Sequence, residues 1–214
     1  ETAASFAGPV DRCWVVDPID GTHNFLRGVP YWNVAIGYVE DGMTQVGVVY
    51  DPPSDALYHA RRGHGAWCQT GRGDRRIRAA GTTALPGSYV VLGHHDRAFE
   101  PRYFDIRRRM MESGVAMRNF GSAALQLAHV ASGRFDGFVE LQLSAWDAVA
   151  GLLLVGGAIL AAVLLFQAPD IQAQTERVLQ NIKAILDDQR LSFAHVVKTT
   201  VFLPNLADFA AMNE

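Results

Sequence analysis

A run of uncharged residues constrains the fold of this 214-residue chain more than any other feature of its sequence. Residues 148–166 are 19 consecutive uncharged residues, mostly Ala, Val, Leu, Ile and Gly. A run of this length can just span a bilayer as a helix. However, Gly156 and Gly157 interrupt it, Asp147 borders it, and no Lys or Arg flanks it closely, whereas membrane spans are usually bordered by basic residues. We therefore predict a buried helix, a glycine turn and a buried strand, and regard a membrane span as the less favoured alternative.

The overall composition agrees with a globular protein. The chain is 49% hydrophobic and 19% charged, with a net charge of −3, which excludes disordered, collagen-like and coiled-coil classes. Without a global positive charge, nucleic acid is not an expected partner. Cys13 and Cys68 are too few for a disulfide scaffold, so we predict two unpaired thiols and a cytoplasmic location.

Strand-like and helix-like segments alternate along the chain, which predicts an α/β fold of layered sheets and helices. Glu40, Asp41 and Gly42 indicate a hairpin turn between two of the strands. The six arginines within residues 61–78 indicate a solvated loop and an edge strand, with a phosphate or nucleic-acid patch as the alternative. The predicted strands are 13–16, 33–39, 45–50, 56–60, 89–92 and 135–141, and the predicted helices are 101–113, 121–132 and one beginning at Trp146.

The string Asp17-Pro18-Ile19-Asp20-Gly21-Thr22 carries the clearest chemistry. Pro18 prevents a regular helix and Gly21 permits a tight turn, so the carboxylates of Asp17 and Asp20 can converge with the Ile19 carbonyl between them. Closely packed oxygen ligands suit Mg²⁺, and the like charges are compatible in one pocket only with a cation present. The alternative is an Asx-turn whose aspartates are solvated.

A second candidate site lies about 100 residues further along the chain. Asp147 is the second residue of the string Trp-Asp-Ala-Val-Ala-Gly, at the start of a predicted helix. An Asp at the start of a helix commonly caps it. Gly121, Ser122 and Ala123 open a predicted helix whose free N–H groups could hold a phosphate. Glu140 ends a predicted strand seven residues before Asp147, so both carboxylates could face one cleft.

Together these strings resemble the inositol monophosphatase family. Its two signatures, Asp-Pro-Ile-Asp-Gly-Thr and Trp-Asp-x-x-x-Gly, occur here in the family's order, and the text between them also matches at residues 23–25, 63–66 and 121–125. The resemblance covers about residues 1–157 and implies an N-terminally truncated catalytic core. It further implies a sandwich of sheets and helices with a Mg²⁺-dependent activity on phosphate esters of inositol or related sugars and alcohols.

The resemblance also implies roles for individual residues. A metal-activated water would attack phosphorus, with Glu1, Asp20 and Thr22 as catalytic residues, and the family favours dimers. The metal ligands would be Glu1, Asp17, the Ile19 carbonyl, Asp20 and Asp147. The phosphate or the alcohol would be bound by Gly21, Thr22, Gly121, Ser122, Ala123 and Glu140.

The last part of the chain resembles a different family, the reactive-intermediate deaminases (YjgF/Rid). The strings at 174–186, 196–203 and 208–214 carry this resemblance and predict a helix–strand–helix piece over residues 170–214, joined through residues 158–169. The chain is thus interpreted as a composite of two incomplete pieces. A non-catalytic chimeric chain and a Rid-type imine or enamine deaminase remain the alternatives to a phosphomonoesterase.

Overall fold

An antiparallel sheet occupies the first part of the chain. The computed structural model describes residues 11–94, 101–141 and 143–158. Six strands follow one another in sequence order across this sheet, so that each pairs with the next. They are β1 (Arg12–Asp20), β2 (Asn33–Glu40), β3 (Met43–Asp51), β4 (Ala56–Arg61), β5 (Ala66–Thr70) and β6 (Gly73–Arg76).

The predicted strands and the hairpin turn of this sheet are confirmed. Asp41 and Gly42 join β2 to β3 and both have positive φ, 50° and 73°, as a tight hairpin turn requires. The arginine-rich stretch contains an edge strand as predicted, because β6 is the last strand of the sheet, and all four of its residues are exposed. The solvated loop predicted for the rest of this stretch is wrong where β5 pairs inside the sheet and buries Ala66 and Cys68. A short helix between β1 and β2, α1 (Thr22–Leu26), was not predicted; its five residues are too few to establish a helical period.

A smaller parallel sheet follows, with β7 (Tyr89–Leu92) between its two neighbours. Helices form the connections, as parallel pairing requires. The helices predicted over 101–113 and 121–132 are confirmed. The strand β8 (Ala116–Arg118) was not predicted because it has only three residues. The remaining elements are α2 (Pro101–Glu112), β8 (Ala116–Arg118), α3 (Ala123–Ala131), β9 (Gly137–Val139) and α4 (Ala145–Ala158).

The core lies between the large sheet and helices α3 and α4. All nine residues of α3 are buried, and α4 packs against α3 and against strands β2 and β3. Gly37 and Gly47 face each other across β2 and β3 directly beneath α4. A Cβ on Gly47 would lie 2.8 Å from the Ala150 carbonyl oxygen. This glycine pair therefore lets the helix backbone approach the sheet closely.

The glycine turn predicted within the apolar run is wrong. Helix α4 continues through Gly156 and Gly157 to Ala158. A Cβ on Gly157 would lie 2.8 Å from the Gly65 carbonyl carbon, so this glycine permits a close backbone contact instead of ending the helix. Residues 159–166, predicted as a buried strand, lie outside the described residues. In the part of the chain that is described, no helix has the length and apolar character needed to cross a membrane.

Candidate active site

A bulge in β1 brings the first two aspartates of the site together. Asp17 pairs with Ala35 of β2, whereas Asp20 pairs with Asn33, so β1 holds one extra residue between the two pairs. Side chains three apart on a regular strand point to opposite faces, and a bulge re-aims them. The Ile19 N–H donates to Asp17 Oδ1 over 3.0 Å, an Asx-type contact that stabilises the bulge.

Asp20 is buried and caps helix α3 from a distant strand. Its carboxylate, 7% exposed, accepts hydrogen bonds from the N–H groups of Ala123 (3.3 Å) and Ala124 (2.8 Å). The side chains of Asn33 and Ser122 donate to Oδ2 over 2.7 and 2.9 Å. Asp20 thereby provides the cap that the Ser122 side chain does not, where the positive end of the helix dipole favours an anion.

Asp147 completes a cluster of three carboxylates. It lies in the first turn of α4, and its Oδ2 accepts the Ser144 N–H over 3.3 Å, as in a capping box. Asp147 is the third residue of α4 and accepts from the residue before the helix, so it is not the N-cap that was the alternative prediction. Asp17, Asp20 and Asp147 each offer a carboxylate oxygen within 4.8 Å of the others.

The charges in this cluster oppose one another. Burial, followed by the charges of Asp20 and Asp17, raises the pKa of Asp147 to about 7. Burial raises the pKa of Asp20 against its hydrogen bonds, with a further contribution from Asp17. Within the described residues, the charges that contribute most to these two shifts are those of neighbouring carboxylates. Three oxygen donors with this excess of negative charge fit a hard divalent cation such as Mg²⁺.

Glu140 lies at the same edge, immediately after β9. Burial, with the charges of Asp147 and Asp20, raises its pKa to about 7. Its Oε2 occupies the space where a side chain on Gly93 would project, just beyond the end of β7. The carboxyl ends of these parallel strands therefore border the carboxylate cluster, where α/β sheets commonly bind ligands.

The turn after Asp20 places Gly21 and Thr22 beside the cluster. Gly21 has φ 87°, and a Cβ there would lie 3.0 Å from the Tyr31 carbonyl oxygen, so the turn requires glycine. The exposed Thr22 hydroxyl donates to the Ile19 carbonyl oxygen over 2.9 Å. Its oxygen keeps lone pairs that can accept a further hydrogen bond.

The predicted helix N-terminus is used differently from the expectation. We expected free N–H groups at Gly121, Ser122 and Ala123, but the Ala123 N–H donates to Asp20, and the Gly121 N–H donates to Asn119 Oδ1 over 3.0 Å. The Asp20 carboxylate that caps the helix thus takes the Ala123 N–H, and the side-chain amide oxygen of Asn119 takes the Gly121 N–H. Glu1 lies outside the described residues.

Local sequence patterns did not predict a role for Asn33 in the site. It is fully buried and joins Asp20 to Ser122. Its signal was present, because Asn33 shares the inward phase of β2 with Ala35 and Gly37, and a polar residue in that phase requires a buried partner.

Comparison with known proteins agrees with this geometry. The family model described as "Inositol monophosphatase family" matches residues 1–192. The chain belongs to the inositol monophosphatase family. This match confirms the first resemblance, and the mixed α/β fold is confirmed by the solved structures.

The relatives of this family member carry two kinds of name. An inositol-1-monophosphatase of Mesorhizobium japonicum is 44% identical over 144 residues, which are 66% of this chain and 53% of the relative. A Nus factor SuhB of Pasteurella multocida is 40% identical over 147 residues, which are 68% of this chain and 54% of the relative. The chain thus spans about half the length of these curated relatives.

Solved structures give the same picture. The SuhB protein of Bartonella henselae matches with TM-score 0.65 and 39% identity, covering 69% of this chain and 56% of that one. The inositol monophosphate-bound structure of SaIMPase-II matches with TM-score 0.61 and 32% identity, over 69% of this chain and 56% of that one.

The second resemblance finds no support in these comparisons. The inositol monophosphatase model extends over residues 170–192, which were assigned to the Rid piece. Neither the Rid fragment nor a chimeric origin is supported. Residues 170–214 lie outside the described residues, so the boundaries at 157 and 170 stay predictions.

Proposed function

We propose that the chain is a Mg²⁺-dependent phosphomonoesterase that hydrolyses inositol monophosphate or a related sugar or alcohol phosphate. The observation that carries this proposal is the convergence of Asp17, Asp20 and Asp147 within 4.8 Å. A structural neighbour with bound inositol monophosphate supports the substrate class. A cytoplasmic location and a dimeric assembly stay predictions.

The three aspartates and the Ile19 carbonyl would hold Mg²⁺. When bound, Mg²⁺ supplies positive charge that favours deprotonation of water and stabilises the phosphoryl oxygens in the transition state. The three aspartates would fix the position of the cation, and its positive charge would offset the repulsion among their carboxylates.

The remaining site residues bind and orient the reactants. The Thr22 hydroxyl, held by the Ile19 carbonyl, accepts a hydrogen bond from the attacking water and aims its lone pair at phosphorus. The N–H groups of Gly21 and Thr22 bind phosphate oxygens. Glu140 hydrogen-bonds a hydroxyl of the alcohol. Gly121 and Ala123, whose N–H groups are donated to Asn119 and Asp20, lie beside that hydroxyl and shape its pocket. The P–O ester bond breaks as the water oxygen bonds phosphorus, and the water's proton leaves on the alcohol.

The test is phosphate release from inositol 1-phosphate with Mg²⁺ and with EDTA. We expect release only with Mg²⁺ and a loss of about 100-fold or more in Asp147→Asn, in the range seen when a transition-state charge contact is removed. Asp105→Asn, on the exposed face of α2, is the matched control and keeps activity. Release that survives EDTA or Asp147→Asn would exclude this site.

A second candidate function is that of a Nus factor, as in the relatives named Nus factor SuhB. The exposed arginines Arg75 and Arg76 form a basic edge at β6. This edge is distant in sequence from the three aspartates of the acidic cluster. The test is complementation of an Escherichia coli strain that lacks its SuhB. Complementation by Asp147→Asn together with lost phosphate release would favour this second function. Failure of both the native chain and Asp147→Asn to complement would disfavour it.

A further inference from the structure

The buried amide of Asn33 forms a triangle of hydrogen bonds with two residues of the site. Its Nδ2 donates to Asp20 Oδ2 over 2.7 Å and to Ser122 Oγ over 2.8 Å. The Ser122 hydroxyl in turn donates to the same Asp20 oxygen over 2.9 Å. Both amide hydrogens of Asn33 and the hydroxyl hydrogen of Ser122 are therefore spent within this triangle.

The two oxygens of Asp20 differ sharply in how many donors they meet. Oδ2 accepts from Asn33, from Ser122 and from the Ala124 N–H at 2.8 Å. Across the described residues, Oδ1 accepts one long bond, 3.3 Å from the Ala123 N–H. A carboxylate oxygen offers about two lone-pair sites, so Oδ2 is saturated and Oδ1 is not.

We infer that Asn33 is a positioning residue that anchors Asp20 through Oδ2 and so leaves Oδ1 as the single oxygen that Asp20 presents to a divalent cation. Asp20 then binds the cation through one oxygen, because turning to present both would break three short hydrogen bonds. This inference rests on the proposed metal site and adds the orientation of one of its ligands.

A purely space-filling role does not account for Asn33. Its Oδ1 is buried without a hydrogen-bond partner in the described part of the chain, and an unpaired buried carbonyl is costly. An apolar side chain of similar size would avoid that cost. The two hydrogen bonds that the Asn33 amide donates instead hold Asp20 in one orientation.

The experiment compares Asn33→Val with Asn33→Thr in the 214-residue chain. The two side chains have nearly the same shape and both suit a strand, but only threonine keeps a donor. Mn²⁺ affinity is measured by the EPR signal of the free ion, and folding is followed by thermal melting in EDTA. Metal-site partners of this kind typically contribute about 10–100-fold in affinity.

We expect Asn33→Val to weaken Mn²⁺ binding about tenfold or more, and Asn33→Thr, which keeps one donor, to bind Mn²⁺ more tightly than Asn33→Val. Equal affinities of the two variants, or native affinity in Asn33→Val, would overturn the inference. If Asn33→Val does not fold, Asn33→Ala decides in its place: weaker Mn²⁺ binding than in Asn33→Thr supports the inference, and equal binding overturns it.

Native protein and Asp147→Asn separate this inference from the proposed function. If the native chain binds no Mn²⁺, or Asp147→Asn binds it equally well, the metal site itself is wrong. If native protein binds Mn²⁺, Asp147→Asn does not, and Asn33→Val binds like Asn33→Thr, only the role of Asn33 is wrong.

Discussion

Both ends of helix α3 contact buried polar groups, but the two ends differ in charge. Carboxylates gather at the N-terminal end, whereas a neutral His ring lies near the C-terminal end. At the N-terminus, Asp20 receives two backbone N–H groups and lies beside Asp17 and Asp147. Near the C-terminus, the His129 ring lies between the Tyr31 hydroxyl, 3.1 Å from Nδ1, and Arg134 Nη1, 2.8 Å from Nε2. The helix between them is apolar except for Gln126 and His129, and it is fully buried.

The C-terminal end is complete without any ligand. Arg134 can only donate, so His129 Nε2 accepts and the neutral ring donates from Nδ1 to Tyr31. Burial, followed by the Arg134 charge, lowers the pKa of His129 to about 4, which keeps the ring neutral. Burial raises the pKa of the Tyr31 hydroxyl.

The N-terminal end is incomplete by the same standard. Four hydrogen bonds are donated to Asp20, yet three carboxylates remain within 4.8 Å of one another. Burial, followed by the charges of Asp20 and Asp17, raises the pKa of Asp147. The comparison teaches that hydrogen-bond satisfaction and charge balance are separate requirements. The end that lacks charge balance is the end that fits a cation.

The largest expected effect separates Asp20 from Asp147. Asp20→Ala leaves two side-chain donors and two helix N–H groups without their acceptor, so we expect a loss of about 3 kcal/mol in the free energy of unfolding. Asp147→Ala removes a charge that repels Asp20 and Asp17, so metal-free stability should stay level or rise. Urea unfolding in EDTA measures both. Asp105→Ala on α2 is the exposed control, and equal losses for Asp20 and Asp147 would contradict the distinction.

Acid should weaken the C-terminal end. The pKa of His129 is about 4 in the folded protein and about 6.5 in an unfolded chain. Its contribution to stability is therefore present above pH 6.5 and is lost as pH falls through 4. At pH 5 the lowered pKa of His129 reduces the free energy of unfolding by about 2 kcal/mol, compared with a histidine whose pKa is the same in both states. Unfolding of His129→Gln across pH 4–8 should show a flatter acid limb than native protein, whereas exposed His23→Gln should follow native protein.

Rising pH should act on the N-terminal end in the opposite sense. The pKa values of Asp147 and Glu140 are about 7, above their ordinary values near 4, so their stabilising contribution is lost as pH rises through 7 in metal-free protein. Mg²⁺ binding must displace the proton on the ligand Asp147, so affinity should rise by up to about tenfold per pH unit below 7, or about 1.4 kcal/mol. Calorimetry in two buffers of different ionisation enthalpy would detect the released proton. A pH-independent affinity between pH 6 and 8 would be incompatible with this assignment.

Local patterns in the sequence predicted what depends on local geometry. The hairpin at Asp41 and Gly42 followed from turn chemistry, and helices α2 and α3 followed from apolar spacing. The string from Asp17 to Thr22 predicted a non-helical convergence of carboxylates, which the bulge in β1 supplies.

Tertiary contacts decided the features that the sequence did not reveal. The N–H groups of Ala123 and Ala124 serve Asp20, which is 103 and 104 residues away. Gly157 contacts Gly65 and does not end α4. Sequence periodicity cannot predict such pairings, because they join residues that are far apart in the chain and leave no local pattern.

The smallest expected effect concerns the charge at the C-terminal end of α3. Arg134→Met removes the donor to His129 Nε2, and because Arg134 is largely exposed, we expect a loss of about 1 kcal/mol. Removing its charge should also move the pKa of His129 back toward its ordinary value, so stability should fall less steeply with acid than in native protein. Mn²⁺ affinity should not change, because no metal-site contact is touched. Arg109→Met, on the exposed side of α2, controls for the loss of one surface charge. A change in Mn²⁺ affinity would mean that the two ends of α3 are coupled through the helix and that the charge-balanced end also supports the metal site.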